Sequence, residues 1–517
     1  MSLSPSRALP AAAPVGLVGA GTMGVGIAQV AAQAGHRVIW YDRTPEVARA
    51  GRDGIAAVLG KRVTRGKMAQ ADLDAVMARL HLVADLDALA DCPLVIEAII
   101  EDMDVKRTIF ARLEAIVGDD AVLATNTSSL SITAIGGVLR RPERLVGLHF
   151  FNPAPLMTLV EVVSGLATAP GVADAMLETT AAWGKSPVHA RSTPGFIVNR
   201  VARPFYAEAL RVLQEGGAAP ATLDAVMRES GGFRMGPFEL MDLIGHDVNH
   251  AVTSSVFAAY DHDPRFRPSL IQRELVEAGW LGRKSGRGFY GYGPDAAAPH
   301  PETAESMPAP GAVAVEGDLG PAAALADLAE AAGLAMTRAP HAVTGPGDGC
   351  VRLDGGVVLC LTDGGLATAT ARAEDEAELI AFDLALDYAS APRVALAPAD
   401  QASAEALRAA VGFFQALGKA VSVLDDVPGL IVFRTVCMLA NEAADAVNQG
   451  VADPADVDTA LRTGVNYPLG PLRWADALGL ARVLGGLDRL AATYGEDRYR
   501  ASPLLRRKVL GGTRFHG

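Results

Sequence analysis

Cysteine is scarce: the chain has four (Cys92, Cys350, Cys360 and Cys437), and none forms a CxxC pair or stands beside a histidine. That excludes a disulfide framework or a thiolate zinc site as the organising principle and fits reduced thiols in a reducing compartment. Positive charge is also short, since 46 Lys and Arg against 59 Asp and Glu leave a net charge of −13. A broad nucleic-acid surface is thereby excluded, and any anionic ligand must be met by a local basic cluster. No apolar run approaches the ~20 residues a membrane helix needs. The N-terminal stretch MSLSPSRALPAAAPVGLVGA is broken by prolines and reads as a ragged leader running into a strand, so a soluble, cytoplasmic protein is expected. Apolar residues, by contrast, are plentiful, and 517 residues exceed what one hydrophobic core supports, so several domains are expected.

The first half alternates short apolar strands with helices. Val15–Ala20, Arg37–Tyr41, Leu94–Ile99, Ala121–Asn126, Arg144–Phe150 and Ser186–Ala190 read as strands, and Met23–Ala34 and Asp104–Ile116 as helices between them, the rhythm of a doubly wound parallel sheet. From Pro194 the pattern becomes helical, with Gly195–Glu215 and Leu223–Ser230 amphipathic. Gly291–Gly311 is rich in Pro and Ala and reads as a flexible linker. Strands then recur at Val357–Thr362, Leu379–Leu386 and Arg393–Pro398, and a helical tail follows from Pro428.

The tail repeats the first helical segment. An offset of 234 residues places Thr193–Arg200 over Val427–Arg434, Gly184-Lys185 over Gly418-Lys419, Glu208 over Glu442, Asp224 over Asp458, Gly236-Pro237 over Gly470-Pro471 and Asp242 over Asp476. The expected layout is an α/β Rossmann-type unit over 1–193, a helical domain over 194–293, a linker over 294–312, a degenerate Rossmann-like unit over 313–426 and a second helical domain over 427–517. Asn199 becomes Phe433 in the second copy, and no G-x-G-x-x-G opens a helix there. The second copy is therefore expected to bind no dinucleotide and to serve as a packing partner of the first, within one chain as a pseudo-dimer or between chains of a homodimer.

Gly19-Ala20-Gly21-Thr22-Met23-Gly24 fits the dinucleotide fingerprint and lies between a strand and a helix. Glycines there allow a tight turn, close approach of backbone to pyrophosphate and close helix packing, while the helix N-terminus faces the phosphates. Asp42 stands at the end of the second strand, where a carboxylate accepts from the ribose hydroxyls of NAD and repels the extra phosphate of NADP. NAD is the expected cofactor, although Arg43 follows directly. Three further polar segments fall just after strands or at the start of the helical domain: Ala124–Leu130 with NTSSL, Gly147–Pro153 with HFFNP, and Pro194–Arg200 with PGFIVNR. Asn126 and Asn152 read equally as turn residues and as ligand contacts.

On the fingerprint, NTSSL, HFFNP, Glu161 in LVEVV, PGFIVNR, MGPFELMD (Met235–Asp242) and GRKSGRGFYGY (Gly282–Tyr292), residues 14–293 resemble the 3-hydroxyacyl-CoA dehydrogenase family. The resemblance implies His149 as catalytic base, Glu161 as its partner, Ser128 and Asn199 near the reacting oxygen, and Glu101 near the nicotinamide with Arg200 available to hold it. It also places CoA contacts near Lys61, Arg62, Arg65 and Lys67, which read equally as a solvated helical face. The chemistry agrees. Oxidising a secondary alcohol needs a base of near-neutral pKa within hydrogen-bond reach and a carboxylate to fix its tautomer, and it needs no metal. The implied reaction is reversible oxidation of a (S)-3-hydroxyacyl-CoA, such as 3-hydroxybutyryl- or 3-hydroxyadipyl-CoA, in fatty-acid or phenylacetate breakdown. The alternatives are a dehydrogenase of a free hydroxy acid on the same fold and a non-catalytic NAD-binding relative.

Overall fold

Strands with no polar face, such as Val15–Val18 and Val122–Thr125, are stable only where helices cover both sides of a parallel sheet. The computed structural model, which describes residues 8–339 and 349–517, builds such a sheet from the first part of the chain. Its strands are β1 (Val15–Val18), β2 (Val38–Tyr41), β3 (Leu80–Val83), β4 (Leu94–Glu97), β5 (Val122–Thr125), β6 (Leu145–Phe150), β7 (Leu159–Ser164) and β8 (Ser186–Arg191). They lie in the order β3-β2-β1-β4-β5-β6-β7-β8, parallel except for the β6–β7 pair. The order reverses between β1 and β4, and ligands of such sheets bind in the crevice beyond the strand ends at that point. Of the leader expected ahead of β1, the first seven residues lie outside the described residues.

A second sheet comprises β9 (Ala312–Glu316), β10 (Ala335–Ala339), β11 (Cys350–Leu353), β12 (Val358–Leu361), β13 (Leu379–Phe382), β14 (Arg393–Pro398) and β15 (Ala420–Val423), in the order β10-β9-β11-β12-β13-β14-β15. The repeat is longer than the sequence comparison indicated. At the same offset of 234, β6, β7 and β8 fall on β13, β14 and β15, and both triplets pair antiparallel, then parallel. Backbone conformation repeats with them: φ is 46° at Phe196 and 51° at Leu430, and 99° at Gly245 and 89° at Gly479. Asp242 accepts from Phe289 N and Tyr290 N, and Asp476 from Phe515 N and His516 N, so each helical copy closes on an aspartate. The four thiols are free, but Cys350 and Cys360, scattered in sequence, stand directly opposite one another on β11 and β12.

The described residues divide into two units. One contains the chain up to Arg200 together with Gln449–Val465, the other Val201–Asn448 with Asn466–Gly517. Each includes an element from the opposite helical copy. In the first, helix Pro454–Gly464 packs on β7 and β8, with Asp456 Oδ2 accepting from His189 N at 2.9 Å. Gly464 allows a close approach there, since a Cβ would lie 2.5 Å from Leu159 Cδ2 and the leucine would have to shift. In the second, the equivalent helix Pro220–Glu229 packs on β14, and Arg393 Nε donates to Glu229 at 3.0 Å. The second unit also pairs helix Arg203–Gln214 with helix Val432–Asn448, where the buried Arg434 Nε donates to Glu208 at 2.6 Å.

Residues 294–311 contain neither helix nor strand, as their composition predicts. They are not a free linker, however. Ala304 N donates to Val421 O, Met307 N to Gln415 Oε1, and Ser422 Oγ to Glu302 O, so the segment is strapped along the second α/β unit.

Candidate active site

The fingerprint turn connects β1 to helix Thr22–Gln33. Two of its glycines are required by the protein itself: a Cβ at Gly19 would lie 2.4 Å from Ala98 O, and one at Gly24 would lie 2.2 Å from Gly19 O. Gly21 is different. A Cβ there meets nothing within 4 Å and would project into a cleft of about 720 Å³, so what excludes a side chain at Gly21 is the room a ligand needs. Gly19, Gly21, Thr22, Met23 and Asp42 border this cleft, whereas Gly24 lies beneath it. Asp42 Oδ2 accepts from Ala20 N at 2.7 Å and Oδ1 from Thr44 N at 2.8 Å, which fixes the carboxylate at the end of β2. Arg43 borders the cleft as well.

The opposite wall was not anticipated. Ile99 and Ile100 follow β4, and Asp104, Val105, Thr108, Ile109 and Arg112 line the cleft from helix Met103–Ile116. Their spacing is that of one helical face, a signal present in the sequence. Ile100 is 60% exposed and Val105 40%, an apolar surface open to the cleft. Apolar walls, unsatisfied N–H groups at a helix N-terminus and a carboxylate at the ribose position together fit a nicotinamide dinucleotide.

A second cluster forms where β6 and β7 pair. Their antiparallel register sets His149 directly opposite Glu161, and His149 Nδ1 lies 2.6 Å from Glu161 Oε2. The other oxygen, Oε1, accepts from Ile197 N at 2.9 Å and Val198 N at 3.0 Å. Glu161 thus ties the ring to the start of the segment carrying Asn199, and its burial prevents solvent from competing. A histidine held at Nδ1 by a carboxylate keeps Nε2 available to exchange a proton. Phe151 and Phe196 flank the ring, with centroids 4.4 and 5.8 Å away.

Asn199 Nδ2 donates to Ser128 O at 3.4 Å, and Ser128 Oγ lies 3.3 Å from Glu101 Oε1, so the four polar residues and Glu101 form one connected patch. Glu101 Oε1 also accepts from Thr127 Oγ1 at 2.6 Å, Ser128 N at 2.9 Å and Ser129 N at 3.1 Å. Burial alone would raise its pKa, but these bonds and Lys106 Nζ at 3.6 Å hold the carboxyl below its ordinary value. Arg200 donates to Gln449 at 2.9 Å. Asn126 is a brace between strands: its Oδ1 accepts from Phe150 N at 2.9 Å. Neither Glu101 nor Asn126 borders the dinucleotide cleft.

The support beneath Glu101 was also not foreseen. Lys106 Nζ donates to Glu97 Oε1 at 2.6 Å in a buried pair, and Glu97 Oε2 accepts from Thr125 Oγ1 at 2.7 Å. A glutamate within the apolar run of β4 was the available sign. Lys61, Arg62, Arg65 and Lys67 are all exposed, at and just beyond the C-terminus of helix Pro45–Thr64.

This combination defines an NAD-dependent dehydrogenase. Residues 14–193 match the NAD-binding domain of 3-hydroxyacyl-CoA dehydrogenase, and 195–292 and 429–514 each match its C-terminal domain. Residues 359–428 match the 3-hydroxybutyryl-CoA dehydrogenase reduced Rossmann-fold domain. The chain belongs to the 3-hydroxyacyl-CoA dehydrogenase family. It is 46% identical to the 3-hydroxyadipyl-CoA dehydrogenase of Escherichia coli K12 over 496 residues, covering 96% of this chain and 97% of that one. It also resembles the crystal structure of 3-hydroxybutyryl-CoA dehydrogenase from Escherichia coli K12, with 44% identity, a TM-score of 0.87 and coverage of 96% and 98%. The pig mitochondrial hydroxyacyl-coenzyme A dehydrogenase is 36% identical over 54% of this chain and 90% of its own. The protein is thus an enzyme that uses NAD to oxidise 3-hydroxyacyl-CoA.

Proposed function

We propose that His149 is the base of this reaction, that Glu161 positions it, and that the substrate is a 3-hydroxyacyl-CoA ending in a carboxylate, such as 3-hydroxyadipyl-CoA. The observation that carries the assignment of the base is the buried His149–Glu161 pair, 2.6 Å apart and anchored to the segment bearing Asn199. Glu161 holds the proton on Nδ1, so Nε2 accepts the hydroxyl proton as the alcohol is oxidised, and the imidazolium that forms is stabilised by the adjacent carboxylate. Asn199 and Ser128 are polar groups suited to bonding the substrate oxygen as it changes from hydroxyl to ketone. When bound, the nicotinamide of NAD, held by Gly19, Gly21, Thr22, Met23 and Asp42, supplies the hydride acceptor. Glu101, kept ionised, stands with Ser128 on this patch, and Lys61, Arg62, Arg65 and Lys67 are the basic group offered to the CoA phosphates.

Support for a carboxylate-terminated substrate comes from the name of the 46% identical relative, which the chain matches along nearly its whole length. The five-segment layout, with catalysis confined to residues 1–293 and residues 313–517 as structural partner within the chain, completes the proposal for a cytoplasmic enzyme. The test is NADH oxidation measured over a panel of 3-oxoacyl-CoA thioesters and the corresponding free acids. The 3-oxoadipyl thioester should give the highest kcat/KM, and free acids none. A preference for the four-carbon thioester would remove the dicarboxylate assignment, and activity on free acids alone would remove CoA.

A further inference from the structure

In the second unit a cavity of about 390 Å³ lies beside helix Arg203–Gln214, within the size range of small-molecule sites. Four arginines border it (Arg203, Arg211, Arg267 and Arg498) against two carboxylates, Glu215 and Glu496. Both carboxylates are already engaged. Glu215 accepts from Arg434 Nη1 at 3.2 Å and Tyr494 OH at 2.7 Å, and Glu496 from Arg211 at 3.2 Å. Arg203 and Arg498 are each more than nine-tenths buried. Arg203 makes one side-chain hydrogen bond, to Thr253 Oγ1 at 3.2 Å, and stands over the Tyr206 ring. Glu496 lies 3.8 Å from Arg498 Nε, beyond hydrogen-bond distance. Three of the residues that border this cavity each carry one buried side-chain atom without a hydrogen-bond partner: Arg203 Nε, Arg498 Nε and Ser269 Oγ.

Burying a guanidinium without a bonded anion is costly, and burial lowers the pKa of both arginines. Guanidinium N–H groups match the oxygens of a carboxylate or phosphate. The remaining lining decides between them, since Leu210, Pro268, Leu270 and the ring of Tyr206 give the cavity apolar walls that a bare inorganic ion would not use.

We infer that this cavity binds a small organic carboxylate, held by Arg203, Arg498 and Ser269. The carboxylate is that of a free acid, and two sets of measurements test this. In the first, succinate, adipate and inorganic phosphate are titrated into the full-length protein by calorimetry and thermal unfolding, with sodium chloride of equal ionic strength as control. A dicarboxylate should bind saturably at one site per chain and raise Tm in proportion to the logarithm of its concentration. Arg203→Met should weaken that binding at least tenfold, leave NAD binding unchanged as evidence of folding, and melt no lower than the parent without ligand. A merely structural arginine would instead lower the Tm. In the second, kcat/KM of parent and Arg203→Met is compared for thioesters with and without a terminal carboxylate. Values unchanged for both thioesters, with succinate binding lost, are expected for a free-acid site. The inference is overturned if neither acid shifts Tm beyond the chloride control, if phosphate binds as tightly as the acids, if Arg203→Met keeps the parent's affinity, or if the variant loses tenfold or more on the carboxylate-terminated thioester alone.

Discussion

Positions 149 and 383 are equivalent in the two copies, but only Asp383 bonds directly to the start of the following helical domain. In the first copy Glu161 takes that role, receiving the N–H groups of Ile197 and Val198 with one oxygen while holding His149 with the other. In the second, Asp383 stands at the histidine's position, Ala395 replaces the glutamate, and Asp383 itself receives Ile431 N, Val432 N, Phe433 N and Leu384 N at 2.8–3.0 Å. The bonding of helix start to sheet is conserved between the copies, while the titratable ring is not. Holding the helical domain to the sheet and moving a proton are therefore separable demands, and with the role proposed for His149 only the first copy meets both.

Substitution at the two positions should separate them experimentally. His149→Gln should reduce kcat by at least ~10²-fold, the lower range for loss of a positioned base, with Tm near the parent's. Unchanged turnover would remove the proposed dyad. Asp383→Ala should do the reverse, leaving kcat per folded molecule unaltered and costing about 3 kcal/mol, because four buried N–H groups lose their acceptor. Urea unfolding measures that cost. Its pH dependence has a defined sign. Burial raises the Asp383 carboxyl from 3.8 to about 6, so the folded state retains a proton that the unfolded chain has released. The stability Asp383 contributes is thus fullest below pH 4 and declines as pH rises through about 6. The gap between parent and Asp383→Ala should accordingly narrow across that window, and a gap that widens would contradict the assignment.

The comparison also shows which features a sequence carries openly. The fingerprint, Asp42 and the PGFIVNR repeat were legible because local backbone demands fix residue types at fixed spacings. The repeat is invisible upstream of Gly184, where β13 and β14 keep the antiparallel pairing of β6 and β7 but His149 and Glu161 have become Asp383 and Ala395. The Lys106–Glu97 pair was not legible because a strand and a helix bring those side chains together only after folding. The irregular course of residues 294–311 follows from their composition, but their immobilisation depends on Gln415, Val421 and Ser422, more than a hundred residues away. The exchange of helices Pro454–Gly464 and Pro220–Glu229 between the α/β units leaves no local mark at all.

A smaller effect is expected at Asp42. Its carboxylate should favour NAD over NADP, and Asp42→Ala should narrow that preference by about tenfold, a little over 1 kcal/mol, with Arg43 then available to the extra phosphate. Equal kcat/KM for the two cofactors in the parent would overturn the assignment.

The division of labour itself is tested most directly by counting dinucleotide sites. Calorimetric titration of the full-length protein with NADH should give one site per chain, and Gly21→Val, which fills the cleft of the first copy only, should abolish it. A second site per chain, or binding that survives Gly21→Val, would show that the second copy retains the function assigned here to the first alone.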